Sequence, residues 1–90
     1  MIRILQLELP DSPVPAGTFA VRLELDVEGA TDWYEVTVHP SLLGSLEARP
    51  MVPDQRLQAQ LGGAVLRQIE QFVSQALRAG SVHLPQLLAA

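Results

Sequence analysis

Residues 54–79 read DQRLQAQLGGAVLRQIEQFVSQALRA. The apolar members Leu57, Leu61, Val65, Ile69, Phe72, Val73, Ala76 and Leu77 recur three or four residues apart. That spacing puts them along one side of a 3.6-residue helix. Arg56, Gln60, Arg67, Gln71, Gln75 and Arg78 take the other side. Asp54 suits the N-cap, and Gly80, following Arg78, suits the C-terminal stop. At 1.5 Å per residue such a helix runs roughly 36–39 Å, enough to cross a small sheet and project beyond it. Gly62-Gly63 interrupts the pattern, and each glycine costs about 1 kcal/mol relative to alanine in a helix interior. The expectation is one helix over 54–79, with the glycine pair marking a close crossing or a kink. A break into two helices is the alternative.

Three strand-like runs precede this stretch. Thr18 to Glu28 alternates Phe19, Val21, Leu23, Leu25 and Val27 with Arg22, Glu24, Asp26 and Glu28. One face is apolar and the other charged, as in a half-buried strand. Residues 31–39 continue the alternation, with Tyr34, Val36 and Val38 inward and Trp33, Glu35, Thr37 and His39 outward. A turn at Glu28-Gly29 sets Arg22 opposite Glu35, whereas a turn at Gly29-Ala30 sets Glu24 opposite Glu35. The first avoids a like-charge pair, and Gly29 tolerates the positive φ of a primed turn. Residues 2–9 form the remaining strand. Leu5, Leu7 and Leu9 share one parity, and Ile2 and Ile4 the other. Either a bulge shifts the phase near Ile4, or the strand is apolar on both faces.

Pro10 to Gly17 is a loop, because three prolines remove three ladder donors. Residues 41–48 form a short helical turn capped by Ser41, with Leu42, Leu43 and Leu46 closing one end of the core. Residues 81–90 are a tail whose Val82, Leu84, Leu87 and Leu88 dock on the core or on a partner. The architecture expected is α+β in two layers: a three-stranded antiparallel meander with one long C-terminal helix packed on one face. The 90 residues make one domain.

Composition bounds the function. Forty-eight per cent of residues are hydrophobic, a large apolar supply for so small a chain. Part of it is expected to meet another chain. Net charge is −4, and the six basic residues are scattered arginines, so no phosphate-binding patch stands out and nucleic acid is not an expected partner. Loss of Lys and Asn with abundant Ala, Leu and Arg is the usage expected of a GC-rich bacterial genome. Absence of cysteine removes disulfides, thiolate catalysis and Cys-ligated zinc together. The first residues lack a signal-peptide layout, and no run reaches 18 apolar residues, so no membrane partner and a cytoplasmic location are expected.

Few residues suggest chemistry. Glu35 and His39 share the outer face of the third strand and are the weak candidates for a general acid and base. No nucleophile or oxyanion motif accompanies them. Glu24, Asp26, Glu28 and Asp32 form an acidic strip, but their spacing matches no calcium loop. No cofactor and no metal are expected. Trp33 is the sole tryptophan and falls on the polar side of the sheet, as an interface anchor would. The function expected is therefore a small non-enzymatic interaction or assembly protein, a homodimer using Trp33, Ile2, Ile4 and the tail residues Leu84 and Leu88. The alternative is a small enzyme or ligand- or metal-binding protein that uses the acidic strip and His39.

Overall fold

The computed structural model describes residues 1–10, 17–39 and 51–88. The element order is β1 (Ile2–Glu8), β2 (Phe19–Val27), β3 (Ala30–Val38), β4 (Met51–Pro53), α1 (Gln55–Gln60), α2 (Gly63–Ala79) and β5 (Gln86–Leu88). All strand pairings are antiparallel, and the sheet order is β4-β3-β2-β1-β5. The fold is α+β, a curled five-stranded sheet with one long helix, so the three-stranded meander is its centre and not its whole. The expected turn at 41–48 and most of the 10–17 loop lie outside the described residues.

The β2–β3 hairpin turns at Glu28-Gly29, with Val27 paired to Ala30 and Arg22 to Glu35. Glu28 and Gly29 both have positive φ, 52° and 90°, which a type I′ turn demands of its two central residues. Asp26 secures the turn, its Oδ1 accepting the Gly29 N–H at 2.8 Å. The charge argument thus selects the observed register.

A register shift between Ile4 and Gln6 settles the phase of β1. Ile2, Ile4 and Leu7 consequently face the same side, and Ile4 is fully buried. Of the two alternatives for this strand the bulge is the one observed: it turns Ile4 into the core and Ile2 against it, away from the face that carries Trp33. Burying two isoleucines there removes apolar area from water at about 25 cal/mol per Å², which outweighs the local loss of ladder regularity.

The helix expected over 54–79 is broken. Asp54 caps α1, its Oδ1 accepting the Leu57 N–H at 2.8 Å. Leu61 and Gly62 are extended (ψ 144° and 162°), and α2 begins anew at Gly63. A Cβ built on Gly62 or Gly63 meets nothing within 4 Å, so the glycines do not mark a close crossing. Their cost to a continuous helix instead places the break. Leu57 and Leu61 stay buried with Val65, Ile69, Val73 and Ala76, so the apolar stripe survives the break. Phe72 and Leu77 are only half-buried and flank the core. Gly80 ends α2 in the left-handed region, φ 73°, with its N–H donating to the Ala76 carbonyl at 2.8 Å.

Beyond Gly80 the chain turns back, passes the cis Leu84–Pro85 bond, and adds β5 against Ile2–Ile4. Leu88 is buried at the end of the core, and Leu84 packs against it. The tail therefore docks on its own sheet.

Candidate functional site

Alternation of hydrogen bonds across the sheet decides which backbone groups face its edges. The Glu28 N–H donates to the Met1 carbonyl at 3.0 Å, so Met1 and Glu28 form a hydrogen-bonded pair. Hydrogen-bonded and non-bonded pairs alternate along an antiparallel ladder. Arg3 accordingly bonds to Asp26 in β2, while Ile2 and Ile4 turn their backbone groups toward β5. Their partners there are Leu88 and Gln86. Leu87, between them, turns its N–H and C=O away from β1, toward the outer edge. The Gln86 side chain donates to that Leu87 carbonyl at 3.2 Å, which agrees with its outward direction.

Beside this edge lies a groove of about 470 Å³ between β5 and the C-terminal half of α2. Gln68, Gln71, Phe72, Gln75, Ala76 and Ala79 form its helical wall. Ser81, Val82, His83 and residues 86–88 form the other. The helical residues recur three and four apart, so they make a second stripe beside the core stripe. The lining holds amides, one hydroxyl, one imidazole and apolar groups, with no Asp, Glu or Arg.

The opposite edge is finished differently. The Asp54 N–H donates to the Glu35 carbonyl at 3.0 Å, and Asp54 Oδ2 accepts the Glu35 N–H, also at 3.0 Å. One side chain thus caps α1 and completes the β3 ladder. The same alternation turns Met51 and Pro53 outward, and Pro53 has no N–H to offer. The proline's neighbours finish this end of the strand. The Pro53 carbonyl accepts the Gln58 Nε2 donor at 2.7 Å.

The sequence candidates occupy other places. Trp33 is half-buried on the open sheet face, and the Arg22 guanidinium lies 5.0 Å from its ring centroid. Arg22 also approaches Glu8 at 3.8 Å, so charge surrounds the tryptophan. Arg56 joins α1 to the same strand. It bonds to Asp32 at 2.8 Å, donates to the Trp33 carbonyl and stands 4.7 Å from the Tyr34 ring centroid. Tyr34 Oη in turn donates to Gln60 at 2.8 Å. Ile4 and Leu88 belong to the core, and Ile2 and Leu84 flank it.

The structure does not assemble the acidic strip. Asp26 is held by Arg3, Glu28 by the N-terminal amine, and Asp32 by Arg56. Arg3's hydrogen bond holds the Asp26 carboxyl below its ordinary pKa, helped by the Gly29 N–H and opposed by the partial burial of the site. Among the described residues no three His, Asp or Glu side chains gather as a metal site would require. His39 Nδ1 lies 3.2 Å from Thr18 Oγ1, a bond that continues the β2–β3 pairing past Phe19 and Val38. Glu35 contributes its backbone to Asp54 and is not joined to His39 by any hydrogen bond found among the described residues. No helix among the described residues is long and apolar enough to cross a membrane.

Sequence reasoning missed the groove because it needs the tail to fold back beside α2. The available signals were the amides at 68, 71 and 75 and the lack of any charged side chain from Ala79 to Ala90. No protein-family model, curated protein or solved structure matches the chain.

Proposed function

We propose that this chain is a small assembly protein that works by binding a second copy of itself rather than by catalysis. The observation that carries the reading is the uncharged groove beside the open β5 edge. A chain with net charge −4 repels its own copies over most of its surface. The groove and the segment following it are the exception, since they hold no Asp, Glu or Arg side chain. Amides and apolar groups together suit a contact that is part hydrogen-bonded and part hydrophobic. Within the acidic strip Asp26, Glu28 and Asp32 are each paired with a cation.

Light scattering from about 10 μM to several hundred micromolar tests the reading, paired with a thermal-shift screen of metals and small ligands. A mass that rises to twice the chain mass, with no large ligand response, is expected. A monomer throughout, or strong stabilisation by one small molecule, overturns it.

A further inference from the structure

We infer that two copies join edge to edge through β5, antiparallel about a two-fold axis at Leu87, to make one continuous ten-stranded sheet. This rests on the assembly reading above and names its surface. Three independent features meet at this edge. Leu87 turns both backbone groups outward, and outward N–H and C=O groups are what an added strand pairs with. The 57% exposed Leu87 side chain lies on the open sheet face, paired with Arg3, so it lends apolar area to the contact without being needed in the core. The adjoining groove leaves room on the helical side of the edge, where a flush wall would have blocked a second strand.

Symmetry sharpens the argument. In a two-fold contact the residue on the axis meets its own counterpart and those beside it lie near theirs, so a charged residue there faces a like charge. Ala79 to Ala90 holds no Asp, Glu or Arg. The open face, by contrast, presents Glu8, Arg22, Glu24 and Glu35 around Trp33. The β4 edge turns outward Pro53, which has no donor, and Met51, and the residues preceding Met51 lie outside the described ones. Leu87 is thus an outward strand position with an N–H and a C=O directed away from the sheet, and Arg3, beside it on the open face, is held by Asp26. The weak bond from Gln86 to the Leu87 carbonyl is exchanged for one from the second copy, and the amide is freed to bond across the interface. The extended sheet then sets the two α2 helices side by side, and the Gln71, Phe72 and Gln75 stripe closes the groove.

Three variants test this by light scattering on the full chain: Leu87→Glu, Leu87→Lys and Trp33→Ala. Leu87→Glu sets two carboxylates opposite each other at the axis while leaving β5 free to pair with β1, where Arg3 accommodates it. The expected result is loss of the dimer in Leu87→Glu and in Leu87→Lys, its restoration in their equimolar mixture, and a dimer retained in Trp33→Ala. If wild type dimerises but Leu87→Glu dimerises as tightly, the edge inference is overturned and the assembly reading stands. Loss in Trp33→Ala alone moves the contact to the open face and overturns it likewise. Loss in both charged variants without restoration on mixing also counts against it. A wild type monomeric at several hundred micromolar overturns the assembly reading itself.

Discussion

The sheet ends in two strands of three residues each, yet among the described residues β4 is capped at its Pro53 end and β5 leaves Leu87 outward. At β4 the outward positions are Met51 and Pro53, and at Pro53 the missing donor leaves no N–H for a further strand to accept from. Gln58 occupies its carbonyl, and Asp54 ties the following helix to Glu35. At β5 the proline stands two residues before the outward position, and Leu87 keeps its N–H. The difference teaches that shortness does not blunt an edge by itself. What matters is which residue falls on the outward half of the alternation, and whether a neighbouring helix supplies partners. α1 supplies them at one edge. At the other, α2 stands off and leaves a groove.

Five substitutions separate the two edges from the core they share. The largest effect is expected under the sheet. Ile69 is fully buried, so Ile69→Ala should lower unfolding stability by about 2–5 kcal/mol. Phe72, on the same helix but half-buried beside the groove, should cost only about 1–2 kcal/mol as Phe72→Ala and should weaken association as well. Urea titration at low protein concentration checks both. Equal losses would mean that Phe72 belongs to the core and not to the groove.

Next comes the capped edge. Asp54→Ala removes a helix cap and the acceptor for the Glu35 N–H together. It should cost about 1–3 kcal/mol, with the dimer's affinity unaltered at concentrations where the chain stays folded. Smaller still is the effect at the helix break. Gly62 caps α2 with no side-chain bond, in an open site at φ −72°. Gly62→Asp should therefore stabilise by about 0.5–1 kcal/mol through a new cap, the helix dipole and a less flexible unfolded chain. A loss of stability in thermal melts would contradict the open geometry.

The smallest effect concerns pH near the open edge. The native pKa of Asp26 lies below its unfolded value, so its contribution is present above about pH 4 and fades as pH falls through the native value. Asp26→Asn should flatten the acid limb of the stability curve below about pH 4. Identical limbs in wild type and variant would show that Arg3 does not hold the carboxylate.

Much of the frame was legible in the residues. Period-two runs marked β2 and β3, and the avoidance of a Glu24–Glu35 pair chose the hairpin register. Asp54 and Gly80 marked the helical region's limits. β4 and β5 were not legible, because three residues beside Pro53 or Pro85 show no period and look like extended loop. The phase of β1 stayed open until Ile2 and Ile4 met the core. The helix break was readable only as a cost at Gly62-Gly63, since an unbroken apolar stripe fits one helix or two. The groove was hidden for a different reason: its walls come from α2 and from a tail whose return depends on pairing with Ile2–Ile4.

Amide hydrogen exchange at three consecutive residues tests the central claim most directly. Gln86 and Leu88 bond to β1 inside one chain, whereas Leu87 has its N–H on the outer edge. The account predicts that Gln86 and Leu88 are protected at every concentration, and that Leu87 exchanges freely when dilute but becomes protected as the dimer forms. A Leu87 amide whose exchange does not change between about 10 μM and several hundred micromolar, in a sample that light scattering shows to be dimeric, would contradict it.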